Sequence, residues 1–87
     1  MSDYGDRMRD AEFLAGAFEV GYVLGIKPNT VNAWRARPKL GFPEPVVQLQ
    51  HGAIWDIREV IAWAEGSNRV VAHREYRAPR PAPKLSQ

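Results

Sequence analysis

Cysteine is absent from the 87 residues, which excludes a disulfide framework and a thiolate metal site. Histidine is nearly absent too: His51 and His73 lie too far apart in sequence to form a zinc-binding pair, so no metal or other cofactor is expected. No apolar run is long enough to cross a bilayer. Nothing near the N-terminus has signal-peptide character, because Asp3, Asp6, Arg7, Arg9, Asp10 and Glu12 interrupt the first twelve residues, and the expected compartment is the cytoplasm. Catalytic constellations are missing as well. No Ser-His-Asp or Cys-His set is suggested, no glycine-rich phosphate loop precedes a helix, and the carboxylates are scattered, so a non-enzyme without a small-molecule substrate is expected.

What is present is enough for one small domain. Hydrophobic residues make up 45% of the chain, sufficient for a core but not for a deep catalytic cleft at this length. The net charge of +2 is unevenly placed. Residues 1–12 carry four acids against two bases, and residues 13–65 balance five against five. From residue 66 onward Arg69, Arg74, Arg77, Arg80 and Lys84 face Glu75 alone. A basic segment of this kind favours an anionic partner, most often nucleic acid, through counterion release. Its plainer reading is a solubilising tail. Pro79, Pro81 and Pro83 alternate there, so the end of the chain is expected to be extended, polyproline-like or disordered. The chain thus divides into an acidic lead (1–12), a compact domain (13–66) and a basic, proline-rich tail (67–87).

Periodicity predicts a first helix over 13–25, with Phe13 and Leu14 leading in and Phe18, Tyr22 and Val23 forming its apolar stripe. Gly25 suits the positive φ of a tight helix exit. A second helix is expected from Lys27 or Pro28, since proline is tolerated in the first turn. Val31 and Trp34 give it an inward face, while Asn29, Asn32, Ala33 and Ala36 fall opposite. It must stop by Pro38. Two helices joined by about three residues form a helix-turn-helix, whose second helix can enter a major groove.

Gly41, Pro43 and Pro45 predict an irregular loop over 39–45. Residues 46–50 alternate like a half-buried strand, with Val47 and Leu49 on one face and Gln48 and Gln50 on the other. His51-Gly52 is the expected turn and residues 53–55 the returning strand. Asp56 is placed to cap a third helix, with Glu59 closing a capping box. Ile57, Val60, Ile61 and Ala64 mark its buried stripe, Trp63 its edge, and Gly66 its end. Trp34, Trp55 and Trp63 sit in apolar stripes and read as core residues rather than base-stacking platforms.

Helix, turn, helix, hairpin, helix is the order of a small winged helix-turn-helix domain, mostly α with a small β-hairpin. The stretch Phe18-Glu-Val-Gly-Tyr-Val-Leu-Gly-Ile-Lys-Pro-Asn-Thr-Val-Asn-Ala-Trp-Arg-Ala-Arg37 resembles the pattern of MerR-like, AlpA-like and phage excisionase families. It places a small residue four before the turn glycine (Gly21 and Gly25), then apolar Ile26, then Thr30, Val31 and Trp34 in the second helix. Phe42-Pro43-Glu44-Pro45, Ala53-Ile54-Trp55-Asp56, Glu59-Val60 and Trp63 resemble the wing and third helix. The likeness covers residues 13–66. One departure is Lys27-Pro28 where relatives carry an N-capping residue; capping by Asn29 would shift the register of the outward face by one or two positions.

Combined with this resemblance, the residues imply a double-stranded DNA binder. Asn29 and Asn32 have amides suited to adenine edges, and Thr30 can touch a phosphate or a thymine methyl. Ala33 shares the outer face and Lys27 opens the helix. Arg35 lies nearer the buried side, with its stem packed and its guanidinium reaching for phosphate, and Arg37 and Lys39 are the expected backbone contacts. Gln48, Gln50 and His51 occupy the wing, and Arg69, Arg74 and Arg77 in the tail are candidates for further phosphate contacts. The resemblance implies a phage or mobile-element excisionase, a recombination directionality factor that binds cooperatively beside further copies, bends DNA and directs an integrase, in a bacterial cytoplasm at the nucleoid. A small transcription regulator, the DNA-recognition domain of a terminase small subunit, and a protein-interaction adaptor without nucleic acid are the alternatives.

Overall fold

The computed structural model describes residues 11–78. Within them a 3-10 turn (Ala11–Phe13) leads into strand β1 (Leu14–Ala15), helix α1 (Ala17–Leu24) and helix α2 (Pro28–Arg35). A 3-10 turn (Pro38–Leu40), strands β2 (Val47–Leu49) and β3 (Gly52–Asp56), and helix α3 (Ile57–Gly66) follow. Three helices thus pack with a small antiparallel sheet in the order β1-β3-β2.

The third strand corrects the expected start of the first helix. Leu14 pairs with Asp56 and Ala15 with Trp55, so these residues give their backbone to β3, and the helix starts only at Ala17. Gly16 precedes it in extended conformation, and its N–H donates to the Glu19 carboxylate at 3.1 Å. The buried stripe of α1 is Val20, Val23 and Leu24, at i, i+3, i+4, with Gly21 between them. Phe18 and Tyr22, expected inside, are 69% and 48% exposed. Small β-branched side chains let α1 approach α2 closely, and the two rings are left on the outer side.

Gly21 packs against the turn that joins the two helices. A Cβ there would lie 2.6 Å from the Ile26 carbonyl oxygen, and the Gly21 carbonyl accepts from the Ile26 N–H at 2.8 Å. Gly25 takes φ +75°, which lets the chain reverse into α2 within residues 25–27. The start of α2 is also settled: Lys27 holds the cap position without a side-chain bond, and its carbonyl accepts from Thr30 and Val31. Asn29 is therefore inside the first turn rather than its cap. Val31 is buried and Trp34 half-buried, while Asn29, Asn32, Ala33 and Ala36 are exposed as their spacing requires.

The loop after α2 is not wholly irregular. It opens with the Pro38–Leu40 3-10 turn, closed by Gly41 at φ +70°, and is tied down by two indoles. Trp63 Nε1 donates to the Leu40 carbonyl at 2.9 Å and Trp55 Nε1 to the Pro43 carbonyl at 2.8 Å. Phe42 packs edge-on against both rings. Trp55 is fully buried with Val20, Val23, Val31, Ile57 and Val60 at the centre of the core.

Hairpin pairing runs Val47–Ile54, Gln48–Ala53 and Leu49–Gly52, so the tip is Gln50-His51 and not His51-Gly52. Gly52 belongs to β3, at φ +143°, a conformation that favours glycine. Alternation puts Ala15, Ala53 and Trp55 inside and leaves Val47 and Leu49, expected inside, 38% and 52% exposed. The helices fill only the side of the sheet that Ala53 and Trp55 face, which is why the Val47 side stays open.

Asp56 caps α3, accepting from the Arg58 N–H at 2.9 Å, but no bond from Glu59 closes a capping box. The Arg58 guanidinium also binds the Asp56 carboxylate at 2.7 and 3.0 Å, and this bonding holds its pKa below the ordinary value. Gly66 is the last helical residue and not the terminator. Ser67 follows it, its hydroxyl donating to the Trp63 carbonyl at 2.7 Å, and Asn68 takes the left-handed conformation at φ +59°.

Residues 67–78 are irregular, with turns at 67–68 and 74–75, and they pack along the domain rather than leaving it. The N–H groups of Ala72 and His73 donate to the Val23 carbonyl, at 2.8 and 3.0 Å, satisfying an end of α1. His73 stacks on Tyr22 with ring centroids 4.1 Å apart, and Tyr76 meets the same ring edge-on. The Ala78 N–H donates to the Glu12 carbonyl at 2.8 Å, so the domain extends beyond 13–66 at both ends. Residues 1–10 and 79–87, with the rest of the acidic lead and the proline repeat, lie outside the described residues.

Candidate nucleic-acid interface

The exposed side of α2 and the β2–β3 hairpin meet across a cleft of about 420 Å³. Asn32 and Arg35 contribute from α2, Gln48 and His51 from the hairpin, and Phe18 and Glu19 from the first turn of α1. Sequence reasoning placed four of these residues in one site, and the fold brings all four together.

Arg35 forms the bridge between the two elements. Its guanidinium donates to Gln48 Oε1 at 2.9 Å and lies over the Trp55 ring at 5.7 Å. Gln48 in turn donates from Nε2 to the Leu49 carbonyl at 3.2 Å. Gln48 faces α2 because it is paired with inward-facing Ala53. This differs from the expected reach of Arg35 to a phosphate: in the free protein the guanidinium is engaged by the hairpin.

Asn29 and Asn32 are exposed, with Ala33 beside them, and Thr30 is half-buried. Lys27 stands at the N-terminal end of α2, and Arg37 and Lys39 stand just past its C-terminal end. These three cations are exposed and take part in no ion pair or side-chain hydrogen bond among the described residues. Gln50 and His51 are exposed at the hairpin tip.

The tail cations sit elsewhere and are used differently. Arg69 lies against Trp34 and Trp63, 5.0 and 4.8 Å from the ring centroids, and is half-buried. Arg74 is ion-paired with Glu65. Arg77 lies over the Phe13 ring at 4.7 Å and donates to the Tyr76 carbonyl at 2.7 Å. Arg58 lies 4.1 Å from the same Phe13 ring. The three tail arginines assigned to phosphate on sequence grounds thus hold residues 67–78 to the domain. Two of the rings that engage them, Trp34 under Arg69 and Phe13 under Arg77, are distant in sequence, whereas Trp63 and Glu65 are near neighbours.

Phe18 and Leu49 line the cleft although sequence reasoning turned both inward. The signal available was the alternative stripe of Val20, Val23 and Leu24, which leaves Phe18 off the buried face. Among the described residues no cluster of three or more His, Asp or Glu side chains could hold a metal ion, and no helix is long and apolar enough to cross a membrane. No protein-family model, curated protein or solved structure matches the chain.

Proposed function

We propose that the chain is a sequence-specific, double-stranded DNA-binding protein of the winged helix-turn-helix type, with α2 as recognition helix and the β2–β3 hairpin as wing. The observation that carries this reading is the segregation of unpaired charge. Lys27, Arg37 and Lys39 flank an exposed Asn29-Asn32 face, whereas Arg58, Arg69, Arg74 and Arg77 are engaged by acids, rings or carbonyls. Cations at both ends of a polar helix suit phosphates on either side of a major groove, with the amides over the base edges. The outer face of α2 carries amides and methyl groups rather than a large apolar patch, which disfavours an adaptor.

Within DNA binding, an accessory factor of recombination, the excisionase type, is favoured over a dimeric regulator. After α3 the described chain folds back over Tyr22 and Val23 instead of continuing as a helix that could form a coiled coil. Such a factor binds beside further copies and bends the duplex for an integrase. A gel-shift titration on fragments of the protein's own locus, with random duplex as competitor and at two salt concentrations, tests the reading. Selective, laddered shifts that weaken with salt are expected; absence of any shift at low salt removes the proposal.

A further inference from the structure

The face that α2 offers to a partner is poor in the one group that reads guanine. Recognition of guanine O6 and N7 relies on arginine or lysine, adenine is read by asparagine or glutamine, and the thymine C5-methyl by apolar contacts. Along the exposed side of α2 stand Asn29, Asn32, Ala33 and Ala36. The single guanidinium within the helix, that of Arg35, is engaged by Gln48 and Trp55. Lys27 and Arg37 lie beyond the two ends of an eight-residue helix about 12 Å long, which suits the groove walls better than its floor.

Phe18 completes the pattern. It is 69% exposed, in a domain that buries valines on the adjoining stripe of the same helix, and it lines the cleft alongside Asn32. A phenyl ring left in water beside a polar helix gains little within the monomer. Against a major groove it has a specific apolar counterpart, the thymine methyl, which no other base presents there.

Resting on the DNA-binding reading above, we infer that this site is directed to A·T pairs, with Asn32 on adenine and Phe18 packed on a thymine C5-methyl at the edge of the α2 contact. Phe18 is then a specificity-determining residue contributed by the first helix.

The test uses the full chain and a random-sequence duplex pool. Selection is expected to yield sites whose α2-contacted positions are A·T pairs. Replacing each thymine of the selected site by deoxyuridine removes only the methyl. At one position it should weaken binding by the wild-type protein about three- to fourfold, the worth of one buried methyl group. Phe18→Ala, with an unchanged melting temperature because the ring is exposed, should show a similar loss on the thymine site and no further loss on the deoxyuridine site. Phe18→Leu should restore part of the methyl dependence. A selected core of G·C pairs overturns the inference, as does a Phe18→Ala protein that still distinguishes thymine from deoxyuridine. Failure of the wild-type protein to bind any member of the pool at low salt fails the DNA reading itself, and that result appears before any base is substituted.

Discussion

The Arg35 guanidinium donates to Gln48 Oε1 at 2.9 Å and so joins the second helix to the hairpin across the cleft that both line. An exposed bond of this kind adds less than about 1 kcal/mol to stability. Its larger effect is to fix the relative position of the two elements that, in the proposed function, engage one duplex together. Arg35→Ala and Gln48→Ala are each expected to leave the melting temperature nearly unchanged and to weaken DNA binding. The double variant should lose less affinity than the two single losses combined, because each single change already frees the hairpin. Additive losses in a double-mutant cycle would show that the two side chains act on DNA separately.

Gly21→Ala tests the contact between the first two helices. Alanine favours a helix by about 1 kcal/mol over glycine. Here the new methyl would meet the Ile26 carbonyl at 2.6 Å, and that oxygen is backbone, held in a turn by the Gly25 conformation. Overpacking at such a point costs about 1–3 kcal/mol, so the net effect is destabilising. A urea titration should show a lower midpoint with little change in slope; a midpoint at or above the wild-type value would mean that the turn can open without cost.

How these elements read from sequence depends on whether their cause is local. The exit at Gly25, the proline start of α2, the Asp56 cap and the outward set Asn29, Asn32, Ala33 and Ala36 are each fixed by neighbours within a turn or two, and all were legible. Strand β1 was not, because two residues become a strand only by pairing with Asp56 and Trp55, some forty positions away. The aromatic weight of Phe18 and Tyr22 outweighed the true valine stripe in the periodicity. Likewise Arg69 and Arg77 read as phosphate contacts because two of the rings that hold them, Trp34 and Phe13, are far away in sequence and are brought close only by the fold.

That difference separates two kinds of arginine by experiment. Arg37→Ala should leave the melting temperature unchanged, weaken binding on all sequences alike, and lower the magnitude of the salt slope by about one. Arg69→Ala should do the reverse. Losing contacts with two indoles costs roughly 1–2 kcal/mol, a drop of several degrees in melting temperature for a domain of this size, with the salt slope retained. A chain ending at Gly66 should be less stable still, since it loses the bonds to the Val23 carbonyl and the cover over Tyr22. A reduced salt slope in Arg69→Ala would return that residue to the DNA contact.

Asp56 links the fold to acid. Arg58 binds its carboxylate and holds its pKa below the ordinary value, so the folded state binds this proton more weakly than the unfolded chain does. The resulting stability is present above the unfolded carboxylate value of about 4 and is lost as pH falls through the lower folded value. Asp56→Asn keeps a good N-cap while removing the charge. It should therefore be less stable than the wild type at pH 7, and the difference should shrink steadily as the pH is lowered below about 4. Thermal melts of both proteins between pH 7 and pH 2.5 read this directly. A gap that stays constant across that range would assign the contribution of Asp56 to its hydrogen-bonding shape alone and not to its charge.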